Sequence, residues 1–231
     1  MKKIMFCVLI LAIAAIGNAQ DTMVKTVAVK SFKAGGTPIA IPSPTKEMIE
    51  VGYDNREFME VFVPSHNRLI AAFVLTNDLP RLKKGSDDIM SKYALVQVPR
   101  RAEYKDCGPS DFKNAVKGQF GELVNSSMKE VEEEFNRRMK SLDLDVAKMS
   151  MGKPVQLGCL FSKQDIYGFG MIMPLSMSGK DIKMVMGASL MRVKRRVIFV
   201  YLCAEYKNED TVKWIRKTTE DWADVILKAN K

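Results

Sequence analysis

The stretch Ile182-Lys-Met-Val-Met-Gly-Ala-Ser-Leu-Met-Arg-Val193, then Lys194-Arg-Arg196, then Val197-Ile-Phe-Val-Tyr-Leu-Cys-Ala-Glu-Tyr206, decides the fold. The two outer runs are rich in β-branched and aromatic residues, and the charged segment between them is short enough for a tight turn. This pattern predicts two antiparallel strands that pair along their whole length.

The register of this hairpin follows if the first two residues of the charged segment form the turn. Leu190 then faces Phe199 on one side of the sheet, and Met191 faces Ile198 on the other side. Because both sides are apolar, the pattern predicts a sheet that is covered on both faces.

The hairpin leads into an amphipathic helix that runs to Asn230. The segment Asn208–Thr211 supplies a polar N-cap and two carboxylates at the positive end of the helix dipole. Apolar positions then recur at steps of three and four, at Val212, Ile215, Thr219, Trp222, Ile226 and Ala229. This spacing predicts a helix that lies with one face on the sheet.

The first half of the chain is predicted to form strands and then a helix. Glu57–Val63 and Arg68–Leu75 are expected to form a hairpin around a four-residue loop, and Tyr93–Val98 is expected to form a further strand. Ser110 is expected to cap a mid-chain helix that kinks or breaks near Asn125.

The second half is predicted to form a meander, the hairpin described above and the C-terminal helix. Val155–Phe161 and Ile166–Met173 read as strands separated by a turn. The order of elements indicates an α+β fold, in which a mostly antiparallel sheet of about six to eight strands lies between the mid-chain helix and the C-terminal helix.

The N-terminus has the order of a secretory signal peptide. Lys2 and Lys3 precede the apolar run Met5–Ile16, and Gly17-Asn-Ala19 provides small residues for cleavage. We expect a signal peptide over residues 1–19, a loosely ordered segment or edge strand over residues 20–36, and a single domain over residues 37–231. No later segment has the length and apolarity of a membrane span, so the product is expected to be soluble in the periplasm or outside the cell.

Charge and cysteines limit the function classes. The chain has 36 basic and 27 acidic residues, and removal of Lys2 and Lys3 would leave 34 and 27, a net charge of +7. Such an excess favours anionic surfaces, and nothing in it indicates nucleic acid. Cys107, Cys159 and Cys203 would remain; two of them form a disulfide or all three are buried thiols, and the sequence leaves this choice open.

In its layout the chain resembles the PsbP-like α/β/α sandwich family. The residues that carry the resemblance are Ile39-Ala-Ile-Pro42 near the start, and Arg195-Arg-Val-Ile-Phe-Val-Tyr201, which runs into the helix at Thr211–Leu227. The order of the elements agrees over most of the chain, whereas little agrees in specific motifs. It implies a sandwich fold and an accessory or binding role, and it transfers no functional residue.

Four methionines are predicted to share one face of the sheet. A turn near residue 178 would place Met171 opposite Met186 and Met173 opposite Met184, with Cys203 beside Met186. Thioethers bind Cu(I), line pliant apolar grooves or fill a core. The cluster is therefore a candidate soft-metal site, a candidate ligand groove or part of the interior.

The charged turn is the candidate partner-binding site. Arg192, Lys194, Arg195 and Arg196 place four cations within five residues, and their mutual repulsion predicts an exposed basic tip. Such a tip suits an anionic lipid, a polysaccharide or a protein of the envelope. The alternative is a turn that only adds solubility.

Catalytic signatures do not emerge from the sequence. His66 is the single histidine, so a His-based metal site or a Ser-His-Asp triad lacks its partners. Gly168 and Gly170 lie in a predicted strand, without the third glycine and following helix of a dinucleotide loop. Together with Gly187 they are expected to leave one sheet face bare, which allows a helix to pack closely.

These observations indicate an exported, soluble, non-catalytic binding or accessory protein of the cell envelope that uses no cofactor. Two alternatives stay open. One is an enzyme of unrecognised type with a pocket beside the sheet, and the other is a copper-handling protein that uses the methionine cluster.

Overall fold

The described residues of the computed structural model are 30–82, 90–125, 128–141, 149–177 and 179–231. The strands are β1 (Ser31–Ala34), β2 (Thr37–Ala40), β3 (Met48–Glu50), β4 (Asn67–Leu75), β5 (Lys92–Pro99), β6 (Ser150–Met151), β7 (Val155–Lys163), β8 (Ile166–Met177), β9 (Lys180–Val193) and β10 (Arg196–Glu205). The helices are α1 (Arg56–Glu60), α2 (Leu79–Leu82), α3 (Pro109–Asn125), α4 (Met128–Ser141) and α5 (Glu209–Ala229). The expected signal peptide lies outside the described residues and stays a prediction.

One antiparallel sheet of eight strands organises the chain. Its order is β3-β4-β5-β10-β9-β8-β6, with β7 also paired to β8, and β1 and β2 form a separate hairpin. The predicted α+β fold with a large antiparallel sheet is confirmed. None of the helices in the described ranges combines the length and apolarity that crossing a membrane requires.

The β9–β10 hairpin has the predicted register, since Leu190 pairs with Phe199. Lys194 and Arg195 form the turn with φ values of 45° and 64°. Two consecutive left-handed residues are what a type I′ turn between twisted strands requires. Neither residue is the glycine or asparagine that such a turn favours, so contacts at the tip contribute to holding it.

Helix α5 covers one face of the sheet. Asn208 caps it as predicted, because its side-chain oxygen accepts hydrogen bonds from the backbone N–H groups of Asp210 and Thr211. Most of the predicted apolar stripe is buried, as shown by Ile215, Thr219, Trp222 and Ile226 together with Ala223. The apolar side chains among them form the main core with the strands beneath the helix.

Shorter elements cover the opposite face. Phe112 of α3 packs against Leu190 and Phe199. Phe135 of α4 and Met59 of α1 are buried in two neighbouring clusters on this side. Helices therefore lie on both faces of the sheet, as its two apolar faces predicted.

The prediction that Glu57–Val63 forms a hairpin with Arg68–Leu75 is wrong. Residues 56–60 form helix α1, and β3 is the antiparallel partner of β4 instead. Phe58 and Phe62 are four residues apart, and their rings meet edge to face with centroids 5.7 Å apart. That spacing is helical, and the apolar residues of this segment fit it as well as they fit a strand.

The mid-chain helix begins earlier than predicted. It starts at Pro109, so Gly108 rather than Ser110 is the capping residue. The backbone N–H of Gly108 donates to the Asp111 carboxylate at 3.0 Å, which is the return bond of a capping box, and proline suits the first helical position. The predicted break is confirmed, since α3 and α4 are separate helices.

The N-terminal hairpin extends the fold upstream of residue 37. Strand β1 pairs with β2, so residues 31–34 form a strand, which is the second of the two expectations for residues 20–36. The Asn230 side chain accepts a hydrogen bond from the backbone of Ala40 at 2.8 Å and donates one to it at 2.7 Å. The indole N–H of Trp222 donates to the Pro42 carbonyl at 2.8 Å. The hairpin is thus fixed to α5.

Gly187 lies at a close contact between α5 and the sheet. A Cβ atom there would stand 2.3 Å from Oγ1 of Thr219 and 2.8 Å from Cγ2 of Ile215. This confirms the expected close approach at Gly187. The space over Gly168 and Gly170 is filled instead by side chains of β7.

We expect Gly187→Ala to lower the free energy of unfolding by about 1 to 3 kcal/mol, because the added methyl group pushes α5 away from the sheet. Gly118→Ala in α3 is the matched control, since nothing lies within 4 Å of its Cβ position. Alanine there should raise stability by about 0.5 to 1 kcal/mol. Urea unfolding measures both changes, and a neutral Gly187→Ala would show that α5 does not depend on this contact.

Candidate functional site

The predicted basic tip is only partly exposed. Arg192 forms an ion pair with Asp165 at 2.6 Å, and Arg196 forms one with Asp106 at 3.2 Å. Their side chains are only 15% and 14% exposed. The expectation that all four cations stay solvated is therefore wrong for these two, because carboxylates from neighbouring loops neutralise them. The two turn residues are exposed, as predicted.

The turn also fixes two other segments. Nζ of Lys194 donates to the Pro38 carbonyl at 3.2 Å. The carbonyl of Arg195 accepts from the backbone N–H of Cys107 at 2.7 Å, and its guanidinium pairs with Asp106 at 2.9 Å. These contacts bring the β1–β2 hairpin and the loop after β5 to the same end of the sheet as the turn.

Six exposed cations cluster at this end of the sheet. We call them the basic surface; they are Lys33, Arg100, Arg101, Lys105, Lys194 and Arg195. The segments that carry them, residues 31–37, 99–106 and 192–196, contain two carboxylates, Glu103 and Asp106, and each is in an ion pair with arginine. The local excess of positive charge creates a field that attracts anions.

A cleft of about 540 Å³ opens beside the basic surface. It lies between the β1–β2 hairpin, the start of β4, helix α1 and the loop after β5. Its lining combines charged and aromatic side chains, among them Phe32, Lys33, Arg56, Arg68, Glu103 and Tyr104. Sequence spacing does not indicate this cleft, although Glu103 is an acid that lies between Arg101 and Lys105.

Glu103 is the buried charge of the cleft, with 7% of its surface exposed. Nε of Arg68 donates to its carboxylate at 3.1 Å, and Nη2 of Arg68 donates to the other oxygen. The backbone N–H of Gly35 adds a third donor at 3.2 Å. The hydrogen bond from Arg68 is the main cause that lowers the pKa of Glu103, against the opposing effect of burial.

Gly35 allows the loop after β5 to close over the hairpin. Its φ is +53°, and a Cβ atom there would lie 1.9 Å from the backbone oxygen of Glu103. Only glycine fits this contact without displacing the loop. The position of the buried carboxylate therefore depends on a backbone feature of β1–β2.

Arg56 forms another wall of the cleft. Helix α1 places it beside a bulge of β4, where its guanidinium donates to the carbonyls of Leu69 and Ile70. The side chains of Arg56 and Arg68 are 31% and 32% exposed, so a ligand can reach them.

The cleft is better suited to binding than to acid–base catalysis. A carboxyl group with a lowered pKa holds no proton near neutral pH, so Glu103 is a poor general acid. Its oxygens already accept bonds from Arg68 and Gly35, which also makes it a poor base. Arginines, in turn, keep their charge and serve as fixed donors.

The four methionines lie in the predicted register. Met171 pairs with Met186, Met173 pairs with Met184, and Cys203 pairs with Met186 from the other side. Met171 and Met184 are buried, and most of the cluster packs with aromatic residues of the same sheet face. This packing favours a role in the core. The soft-metal hypothesis stays a hypothesis.

Cysteine and histidine show no catalytic arrangement within the described residues. Cys107, Cys159 and Cys203 are free thiols, and Cys159 is exposed rather than buried. Burial raises the pKa of Cys203 to about 12, so it stays protonated and weakly nucleophilic. His66 is exposed in a turn, where its carbonyl accepts a bond from Arg100. Across the described ranges no three His, Cys, Asp or Glu side chains could hold a metal ion.

Comparisons with known proteins give weak structural similarity. No protein-family model and no curated protein matches the sequence. The Ran-binding protein Mog1p of Saccharomyces cerevisiae is 11% identical with a TM-score of 0.33, over 87% of this chain and 92% of that chain. The solution structure of cyanobacterial PsbP from Synechocystis is 11% identical with a TM-score of 0.35, over 85% of this chain and 93% of that chain. The weak resemblance to PsbP is thus found in the structure as well.

We expect acid to weaken the contact between Arg68 and Glu103. Because the pKa of Glu103 is lowered in the folded chain, its stabilisation is fully present above the unfolded pKa of about 4.3 and is lost as pH falls below it. The free energy of unfolding of the wild type should therefore fall more steeply between about pH 5 and 3 than that of Glu103→Gln. Urea unfolding at stepped pH tests this, and parallel curves would contradict it.

We expect Met184→Ala to cost about 2 to 5 kcal/mol, because it leaves a cavity, and Met173→Ala to cost less, because Met173 is half-buried. Leucine at either position should cost less than about 1.5 kcal/mol. Anaerobic Cu(I) titration separates core from metal site. The wild type and a variant with leucine at all four methionines should both lack a tight site. A stoichiometric site present only in the wild type would support copper binding instead.

Proposed function

We propose that this chain is a non-catalytic binding protein, exported to the cell envelope, that attaches to an anionic lipid or polysaccharide surface through its basic surface. The observation that carries the proposal is the grouping of six exposed cations from three separate segments at one end of the sheet. The signal-peptide pattern of residues 1–19 supports export.

Electrostatic attraction of this kind is additive and depends on salt. Each lysine or arginine near an anionic surface contributes about 1 kcal/mol, and the effect fades beyond a Debye length of about 10 Å at moderate salt. Charges spread over three segments can contact such a surface together only if the segments keep fixed relative positions.

The ion pairs at the tip provide that fixed arrangement. Arg192 pairs with Asp165, Arg195 and Arg196 share Asp106, and Lys194 donates to the Pro38 carbonyl. The turn is therefore tied to the neighbouring loops, while the side chains of Lys194 and Arg195 stay exposed. The exposed cations are therefore displayed on a pre-organised frame. Pre-organisation reduces the entropy that binding would otherwise cost.

The proposal is tested by retention of the protein, beginning at Gln20, on vesicles of phosphatidylglycerol and phosphatidylcholine and on an acidic polysaccharide. The variant Lys194→Asn with Arg195→Gly removes two charges and installs the residues that a type I′ turn prefers, so the hairpin should stay folded. We expect its affinity to fall about 10-fold or more at low salt, since two contacts of about 1 kcal/mol are lost.

The matched control removes two charges from the opposite end of the sheet, by Lys183→Gln with Lys207→Gln, where both lysines are exposed. Its affinity should change less than about 2-fold, because the total charge is the same but its position is not. Equal losses in both variants, or no binding by the wild type, would contradict a localised anionic contact.

A further inference from the structure

We propose that the cleft beside Arg68 and Glu103 binds a small molecule in which a carboxylate is joined to an apolar body. The cleft is concave, with a volume of about 540 Å³, and pockets of about 300 to 1,000 Å³ are typical of small-molecule sites. The site shares Lys33 with the basic surface and rests on the proposed function in that one respect.

The orientation of Arg68 leaves donors for a ligand. Nε and Nη2 are used by Glu103, and Nη2 also donates to the carbonyl of Lys33 at 2.8 Å. No described residue accepts a hydrogen bond from Nη1. Because the bidentate contact with Glu103 fixes the plane of the guanidinium, the free N–H groups of Nη1 have a fixed direction as well.

The charge of the lining matches one negative group. Lys33, Arg56 and Arg68 bring three positive charges, and Glu103 removes one. Glu60 lies 3.4 Å from Nε of Arg56 and offsets part of its charge. The remaining excess lies between one and two positive charges, which is enough to attract a single anionic group such as a carboxylate.

The walls of the cleft suit an apolar body. Ile70 is buried, Phe32 is half-buried, and Tyr104 is an aromatic ring with 75% of its surface exposed at the cleft. A ligand that covers this ring would remove apolar surface from water, and aromatic rings contribute large areas to such contacts. An amphipathic anion therefore contacts both the charged side chains and the apolar side chains of the cleft.

The test uses 3-phenylpropionate, with the uncharged 3-phenylpropionamide and inorganic phosphate as comparison probes. Chemical shifts of the Gly35, Gly36 and Tyr104 backbone amides are followed during titration of the protein that begins at Gln20. We expect saturable shifts with the carboxylate, none with the amide, and weaker binding of phosphate. No saturable shifts with the carboxylate, equal binding of the amide, or tighter binding of phosphate would overturn the proposal.

Variants locate the binding site without disturbing the buried pair. Lys33→Gln and Tyr104→Ala change exposed side chains and should each weaken 3-phenylpropionate binding about 3-fold to 5-fold. Lys30→Gln is the matched control, because Lys30 is also exposed but pairs with Glu50 and does not line the cleft. Its affinity should equal that of the wild type. Unchanged binding in both cleft variants would place the ligand elsewhere and overturn the assignment.

This test is separate from that of the basic surface. The variant with Lys194→Asn and Arg195→Gly should keep its affinity for 3-phenylpropionate, and Tyr104→Ala should keep its affinity for anionic vesicles. Loss of vesicle binding with the probe still bound would refute the proposed function alone. Loss of probe binding in the turn variant would overturn the cleft as an independent site.

Discussion

The two-residue turn between β9 and β10 is the constraint on which the rest of the structure depends. Its left-handed residues fix which side chains of these two strands oppose each other. A slip by one residue would move the core side chains of the shifted strand to the other face. Gly187 would then no longer lie under Thr219, and α5 would lose its close contact with the sheet.

The central hairpin and α5 were predictable from sequence because their signals are local and agree with each other. Asn208 caps a helix whose apolar spacing is regular, and the hairpin alternates on both sides of a charged turn. Helix α1 was missed because Phe58, Met59 and Phe62 fit a strand and a helix alike. Only tertiary packing, here the contacts of the Phe62 ring with Tyr93 and Phe135, decides between them.

The candidate site was only partly predictable because its charges pair across long distances in sequence. Lys194 and Arg195 were correctly expected to be exposed, but the carboxylates that neutralise Arg192 and Arg196 come from other loops. The cleft needs Arg68 and Glu103, which are 35 residues apart. Sequence spacing carries no information on such contacts, although an acid between basic neighbours hints at a buried partner.

The identity of the turn residues is relevant to the proposed function. An L-residue in the left-handed region costs about 1 to 2 kcal/mol relative to glycine, and this turn holds two of them. Hydrogen bonds from the tip to Pro38 and Cys107 offset part of that cost. Asparagine and glycine would form the same turn with less strain, so ease of folding does not account for lysine and arginine here. Their exposed charge, beside the cations of two other segments, is the feature that the proposed binding to an anionic surface would use.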